Sequence, residues 1–135
     1  MMLSGFNRVM IIDSDLIERF ATKDTIDRKG FSKIILEYDN AFEALQYLIK
    51  NQNLLFMLPQ VIFIDVDMPR ISGFEFIDIY DKMSYVLKNT CKVFITSSIE
   101  LRDSDLSKLD NKSIISFLKK PITKEQLDVI ERLVY

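Results

Sequence analysis

VIFIDVDMPR, residues 61–70, is an apolar run that ends in Asp65 and Asp67 just before Met68-Pro69. A short apolar run bounded by turn residues reads as a buried strand. A carboxylate at its end is either an accident of the surface or a reactive group on a rigid edge. The same grammar recurs in RVMIID (8–13), SKIILEY (32–38), KVFIT (92–96) and IISFL (114–118). Helical patterns separate these runs. Residues 15–28 carry Leu16, Ile17, Phe20 and Ala21 at helical spacing, with Gly30 as the stop. Asn40 caps 41–50, which puts Ala41, Ala44, Leu45 and Leu48 on one face. Residues 73–88 read as one helix with Phe74, Ile77, Tyr80 and Leu87 inward. A weaker helix is expected near 101–110, with Leu101, Leu106 and Leu109. Thr123 caps a last one with Leu127, Ile130 and Val134 on a stripe. Five strands alternating with five helices predict an α/β domain on a parallel sheet, since near-continuous apolar strands suit a sheet covered on both faces.

The bulk numbers remove several function classes. The 135 residues suit one domain, and 48% hydrophobic residues supply a real core. Eighteen basic against 20 acidic residues leave a charge of −2 without a basic block, which argues against nucleic-acid binding. No 18-residue apolar stretch and no apolar leader are present, so neither a membrane span nor a signal peptide is expected. One cysteine, Cys91, excludes an internal disulfide and fits the cytoplasm; it reads as a packed, inert thiol. The absence of histidine excludes imidazole zinc sites and Ser-His-Asp hydrolysis, and this chain is no histidine phosphodonor.

In parallel α/β sheets, ligands sit beyond the carboxyl ends of the strands. Those ends are Asp13-Ser14-Asp15, Asp65 with Asp67, Thr96-Ser97-Ser98 and Lys119-Lys120-Pro121. Crowded acids repel one another, and a hard divalent cation relieves that. A hydroxyl and an ammonium beside them suit the oxygens of a phosphoryl group. Alternation puts Lys120 on the face of Leu118 and Lys119 on the other.

The set resembles the receiver domain of two-component response regulators, over essentially the whole chain. The pieces are IIDSD, DVDMPRISG, TSS and KKP, with Asp65, Met68, Pro69 and Gly73 matching the family's D-x-x-M-P-x-x-x-G spacing. The resemblance implies a flavodoxin-like doubly wound sheet, strand order 2-1-3-4-5. It implies that residues 1–135 are a single receiver with no output domain, a signalling module rather than an enzyme. Asp65 would be the phosphoacceptor. Asp13, Asp65 and the backbone carbonyl of Asp67 would hold Mg²⁺. Thr96 would be the switch hydroxyl, with Ser97 the alternative one residue on. Lys120 would pair with Asp65 or its phosphate, Phe117 would be the switch aromatic, and Pro121 would follow a cis bond. The donor would be a histidine kinase or phosphotransfer protein. The output would be a protein target or a homodimer, met by the face of the 101–110 helix, strand five and the last helix.

One departure stands out. The family carries two adjacent acids after strand one, whereas here the second position is Ser14, a poorer Mg²⁺ ligand. Asp15 compensates only if the loop turns it inward. Ser14 keeps alive a degenerate receiver that binds a partner without phosphorylation. A third reading is a haloacid dehalogenase-type phosphatase, whose nucleophile lies in a DxD motif. That family places the motif on its opening strand and needs a later acid pair, which nothing after Lys120 supplies.

Overall fold

The sheet is built from β1 (Phe6–Ile12), β2 (Ser32–Tyr38), β3 (Val61–Asp65), β4 (Lys92–Ser97) and β5 (Ile114–Lys119). All pairings are parallel, in the order β2-β1-β3-β4-β5. The computed structural model describes residues 5–107 and 114–134. Helices α1 (Leu16–Lys29), α2 (Ala41–Lys50), α3 (Gly73–Tyr80), α4 (Tyr85–Thr90) and α5 (Asp103–Leu106) lie in the crossovers, and α6 (Lys124–Val134) follows β5. The doubly wound order expected from the resemblance is the one found.

Strand alternation divides the core in two. Met10, Ile12, Ile62, Ile64, Val93 and Ile95 face α2, α3 and α4. Val9, Ile11, Val61, Phe63 and Phe94 face α1 and α6, where Ile26, Leu127 and Ile130 meet them. Every β3 residue is buried, as a central strand covered on both faces requires. On the second face, Phe6, Phe31, Phe63 and Phe94 form a chain of ring contacts with centroids 4.9, 6.2 and 6.1 Å apart.

The caps follow the sequence. Gly30 ends α1 at φ 68°, Asn40 accepts from Glu43 N–H at 2.9 Å, and Thr123 Oγ1 accepts from Gln126 N–H at 3.1 Å. Two expectations needed revision. The stretch 73–88 is two helices, broken over 81–84. Ser84 starts the second, accepting from Leu87 N–H at 3.2 Å while its own N–H and hydroxyl bind Gln52 at 2.9 Å. That tertiary anchor re-aims the chain, and Tyr80 and Leu87 still both reach the core. The helix expected near 101–110 is described only as α5, and Leu109 lies outside the described residues.

The second revision concerns α1. Leu16, Ile17 and Phe20 are 69%, 79% and 67% exposed. The inward stripe is instead Arg19, Thr22, Ile26 and Lys29, at spacings of three and four. Both cations lay their stems inward and pair at the tip. Arg19 donates to the Asp13 carbonyl at 2.8 Å and faces Glu37, and Lys29 pairs with Asp128 and Glu131 on α6.

Candidate functional site

Residues of one parity along parallel strands share a face, and four strand ends exploit this. Asp13 continues the parity of Ile11, Asp65 that of Phe63, Thr96 that of Phe94 and Lys120 that of Leu118, all on the α1/α6 face. Asp65 and Thr96 are direct register partners. Lys119 takes the opposite parity and is exposed. Backbone bonds hold the edges together: Asp13 N–H to Tyr38 O at 3.0 Å, Val66 N–H to Thr96 O at 2.9 Å, and Lys120 N–H to Ser97 O at 2.7 Å. The Lys120–Pro121 bond is cis, as expected.

Lys120 Nζ is the hub. It lies 2.8 Å from Asp13 Oδ2, 3.0 Å from Asp65 Oδ1 and 2.7 Å from Glu18 Oε1. Asp13, Asp65, Thr96 and Lys120 are all buried. One ammonium thus faces three carboxylates. Burial pushes the Asp65 carboxyl up from 3.8 to about 6; Lys120 pulls it back down through its hydrogen bond and charge, while Asp13 and Glu18 add repulsion. Burial on its own would lower the Lys120 ammonium. Its bonds to Asp13, then Glu18 and Asp65, outweigh this and hold it above the ordinary lysine value.

An open cleft of about 670 Å³ borders this cluster, lined by Asp65, Asp67, Ser14, Glu18 and Ser98 among others. Ser14 and Asp67 are exposed. Asp15 is exposed too and does not compensate for Ser14 from within: its carboxylate is the α1 cap, accepting from Glu18 N–H at 2.9 Å. Asp13 Oδ1 accepts from Asp15 N–H at 2.9 Å, so the strand end and the helix start are one unit. The Ser97 hydroxyl is turned onto its own loop, donating to Ile99 O at 2.8 Å and accepting from Ile99 N–H at 3.2 Å. Phe117 packs, half buried, against the core on the other face of the sheet. The structure therefore brings Asp13, Asp65, Thr96 and Lys120 to one face and leaves Phe117 on the other. Cys91 is buried, and burial pushes its thiol up to about 12, which fits a packed, unreactive group.

Three independent comparisons bear on what this site belongs to. The response regulator receiver domain family matches residues 9–131. The chain belongs to that family. A response regulatory protein of Shewanella oneidensis is 32% identical over 118 residues, covering 87% of this chain and 44% of that protein. A sensory transduction protein of Bacillus anthracis is 26% identical over 128 residues, covering 90% of this chain and 50% of that one. The chain thus spans about half the length of these relatives. Among solved structures, a two-component response regulator from Cytophaga hutchinsonii is 26% identical with a TM-score of 0.87, covering 96% of this chain and 97% of that one. A Vibrio cholerae chemotaxis protein, 22% identical with a TM-score of 0.75 over 97% of this receiver and all 100% of its own chain, shares the fold.

Sequence reading missed Glu18 in this receiver. Its signal was ordinary: an acid three residues after a cap residue reads as part of a helix start. Gly73 is more than a turn residue. Its N–H bonds Val66 O at 3.0 Å, and a Cβ there would stand 2.8 Å from both the Asp65 carbonyl oxygen and the Val66 Cα. Gly73→Ala must therefore push on the backbone that carries Asp65. A loss of about 1–3 kcal/mol is expected in urea unfolding, and an unchanged midpoint would contradict the close approach.

The donor set suits a hard divalent cation. Asp13 and Asp65 offer oxygen only, and the cluster of three carboxylates and one ammonium keeps two negative charges. Asp13, Asp65 and Glu18 converge on Lys120, and among the described residues no three acidic or cysteine side chains are arranged to hold an ion by themselves.

Proposed function

We propose that this receiver accepts a phosphoryl group on Asp65 from a partner's phosphohistidine and, once modified, presents a changed surface to a target. One observation carries the reading: the Lys120 ammonium sits between Asp13 and Asp65 at the end of the sheet, beside Thr96 and an open cleft. A carboxylate oxygen of Asp65 attacks phosphorus. The P–N bond breaks with its electron pair going to the imidazole, which carries a proton on its other nitrogen and leaves neutral. Lys120 trades its Asp65 bond for a phosphoryl oxygen, and the Thr96 hydroxyl turns to another. Asp13, Asp65 and the Asp67 carbonyl would hold Mg²⁺, which when bound offsets charge on the transferring oxygens. The added charge of about −1.5 to −2 biases Ser97 at the end of β4, the loop that follows it, and Phe117 across the sheet. The faces of α5, β5 and α6 then meet a target protein or a second copy.

The donor is taken to be a histidine kinase or phosphotransfer protein, and the setting the cytoplasm. No described helix is long and apolar enough to cross a membrane. The exposed Leu16, Ile17 and Phe20 form an apolar surface at the start of α1, on the rim of the site, that suits a docking protein. Phe20→Ser is expected to slow transfer from a donor protein about tenfold more than transfer from acetyl phosphate, measured as labelled phosphate on Asp65. Equal slowing would move docking elsewhere.

The test of the main reading is adduct formation. With Mg²⁺ and acetyl phosphate the chain should gain the mass of one phosphoryl group, and Asp65→Asn should gain none. Ser14, exposed where a second acid is usual, favours a second reading, a receiver that binds its partner unmodified. A lack of both phosphoryl and beryllofluoride adducts would select it. Turnover of many phosphate equivalents per chain would instead point to the phosphatase.

A further inference from the structure

An ammonium has three protons to give. Lys120 donates to Asp13 at 2.8 Å and to Glu18 at 2.7 Å, and its third contact is the ion pair with Asp65 at 3.0 Å. Two of the three, Asp13 and Asp65, are strand ends and nearly inaccessible, with side chains 3% and 9% exposed. Glu18 differs. It comes from the first turn of α1, its side chain is 34% exposed, and its 2.7 Å bond to Nζ is the shortest of the three. It also lines two openings: the cleft shared with Asp65, and a second of about 340 Å³ shared with Lys120, Ile17, Ser98 and Pro121. Glu18 therefore stands between the ammonium and the solvent on the side that the strand ends leave open.

A lysine head is a compact point charge on a flexible four-carbon stem, so its aim depends on what grips it. If the only grips were Asp13 and Asp65, one would vanish when Asp65 became an acyl phosphate. We propose that Glu18 is a positioning residue. With Asp13 it holds the Lys120 ammonium so that the third proton points at position 65, both before and after phosphoryl transfer. This role presupposes the phosphoacceptor reading of Asp65. The same carboxylate answers Ser14. Without Glu18 the cluster would keep one net negative charge; with it the cluster keeps two, the charge a divalent cation neutralises. Glu18 acts here through charge and through Lys120, and Asp13 and Asp65 remain the cation's ligands.

The experiment compares wild type, Glu18→Gln and Glu18→Ala. Gln keeps an accepting oxygen without the charge, and Ala keeps neither. The first readout is hydrogen exchange of the Lys120 ammonium protons, followed by NMR on protein carrying ¹⁵N-lysine. The second is beryllofluoride affinity in Mg²⁺, followed by the change in amide spectra. Charge-assisted bonds are roughly twice as strong as neutral ones. Glu18→Ala should therefore exchange about tenfold faster and bind beryllofluoride about tenfold more weakly, with Glu18→Gln between. Both variants alter a partly exposed residue, and unfolding in urea checks that each is folded. Exchange and affinity unchanged in both variants would overturn the proposal, because a merely structural Glu18 moves neither. A wild type that takes no beryllofluoride, while Glu18→Ala still releases the ammonium, would sink the phosphoacceptor reading and leave the grip on Lys120 standing.

Discussion

Lys120→Met is expected to destabilise the receiver by about 3–5 kcal/mol at neutral pH without divalent cations, the usual cost of removing one partner from a buried ion pair. Methionine keeps much of the aliphatic stem, so little packing is lost and the change isolates the charge. What remains is Asp13 and Asp65, both buried, within one ammonium's reach of each other, with Glu18 alongside. The Asp65 carboxylate can escape only by binding a proton. Burial already holds the Asp65 carboxyl above its ordinary value, and losing Lys120 removes what pulled it back, so stability falls as pH rises through that window. The deficit of the variant should accordingly be largest above neutrality and shrink toward pH 4. Mg²⁺ should also recover part of it by replacing the missing positive charge. Urea unfolding at pH 8 and pH 4.5, with and without Mg²⁺, measures both dependences. A deficit that ignores pH would mean that the loss is packing and that the carboxylates do not depend on Lys120.

That hub was largely legible from the chain, and the reason is periodicity. Asp13, Asp65, Thr96 and Lys120 each close an apolar strand of a parallel sheet, so period two fixes the face and strand order fixes the neighbours. Lys120 could be separated from Lys119 on that ground alone. Helices gave less. Leu16, Ile17 and Phe20 look like a core stripe to any reading that equates apolar with inward, yet the inward stripe is Arg19, Thr22, Ile26 and Lys29, of which Thr22 and Ile26 are buried. The stripe is visible only once Glu37, Asp128 and Glu131 are seen to pair with the two cations. Those partners are distant in sequence, which no local pattern encodes. The break at 81–84 depends likewise on Gln52, 32 residues before Ser84. Glu18 was hidden for a related reason: its partner Lys120 lies 102 residues further along. A site assembled from strand ends is readable from strand ends. What a helix adds to it depends on the rotation of that helix, and the rotation of α1 buries Thr22 and Ile26 and pairs Arg19 and Lys29 with acids distant in sequence.

Asp65→Asn should make the Mg²⁺-free protein more stable at neutral pH, by about 3 kcal/mol, while abolishing phosphorylation. Burial raises the folded-state pKa of this carboxyl from 3.8 to about 6. Below 3.8 both the folded and unfolded chains hold the proton, and the group costs nothing. Between 3.8 and about 6 the unfolded chain releases it first, so the folded state loses ground as pH rises. Above about 6 both are ionised and the penalty is constant. Asparagine resembles the protonated acid at every pH, so its advantage should be absent near pH 3.5, grow through pH 5 and level off above 7. Lys120 keeps Asp13 and Glu18 in the variant, so no buried ammonium is stranded. Mg²⁺ should then close the gap from the other side, because it stabilises the chain that binds it and the variant lacks a ligand. Thermal unfolding across that pH range reads the whole curve. Equal stability of the two proteins at pH 7.5 without Mg²⁺ would mean that Lys120 already offsets the burial of the Asp65 charge, and the penalty assigned to it would be gone.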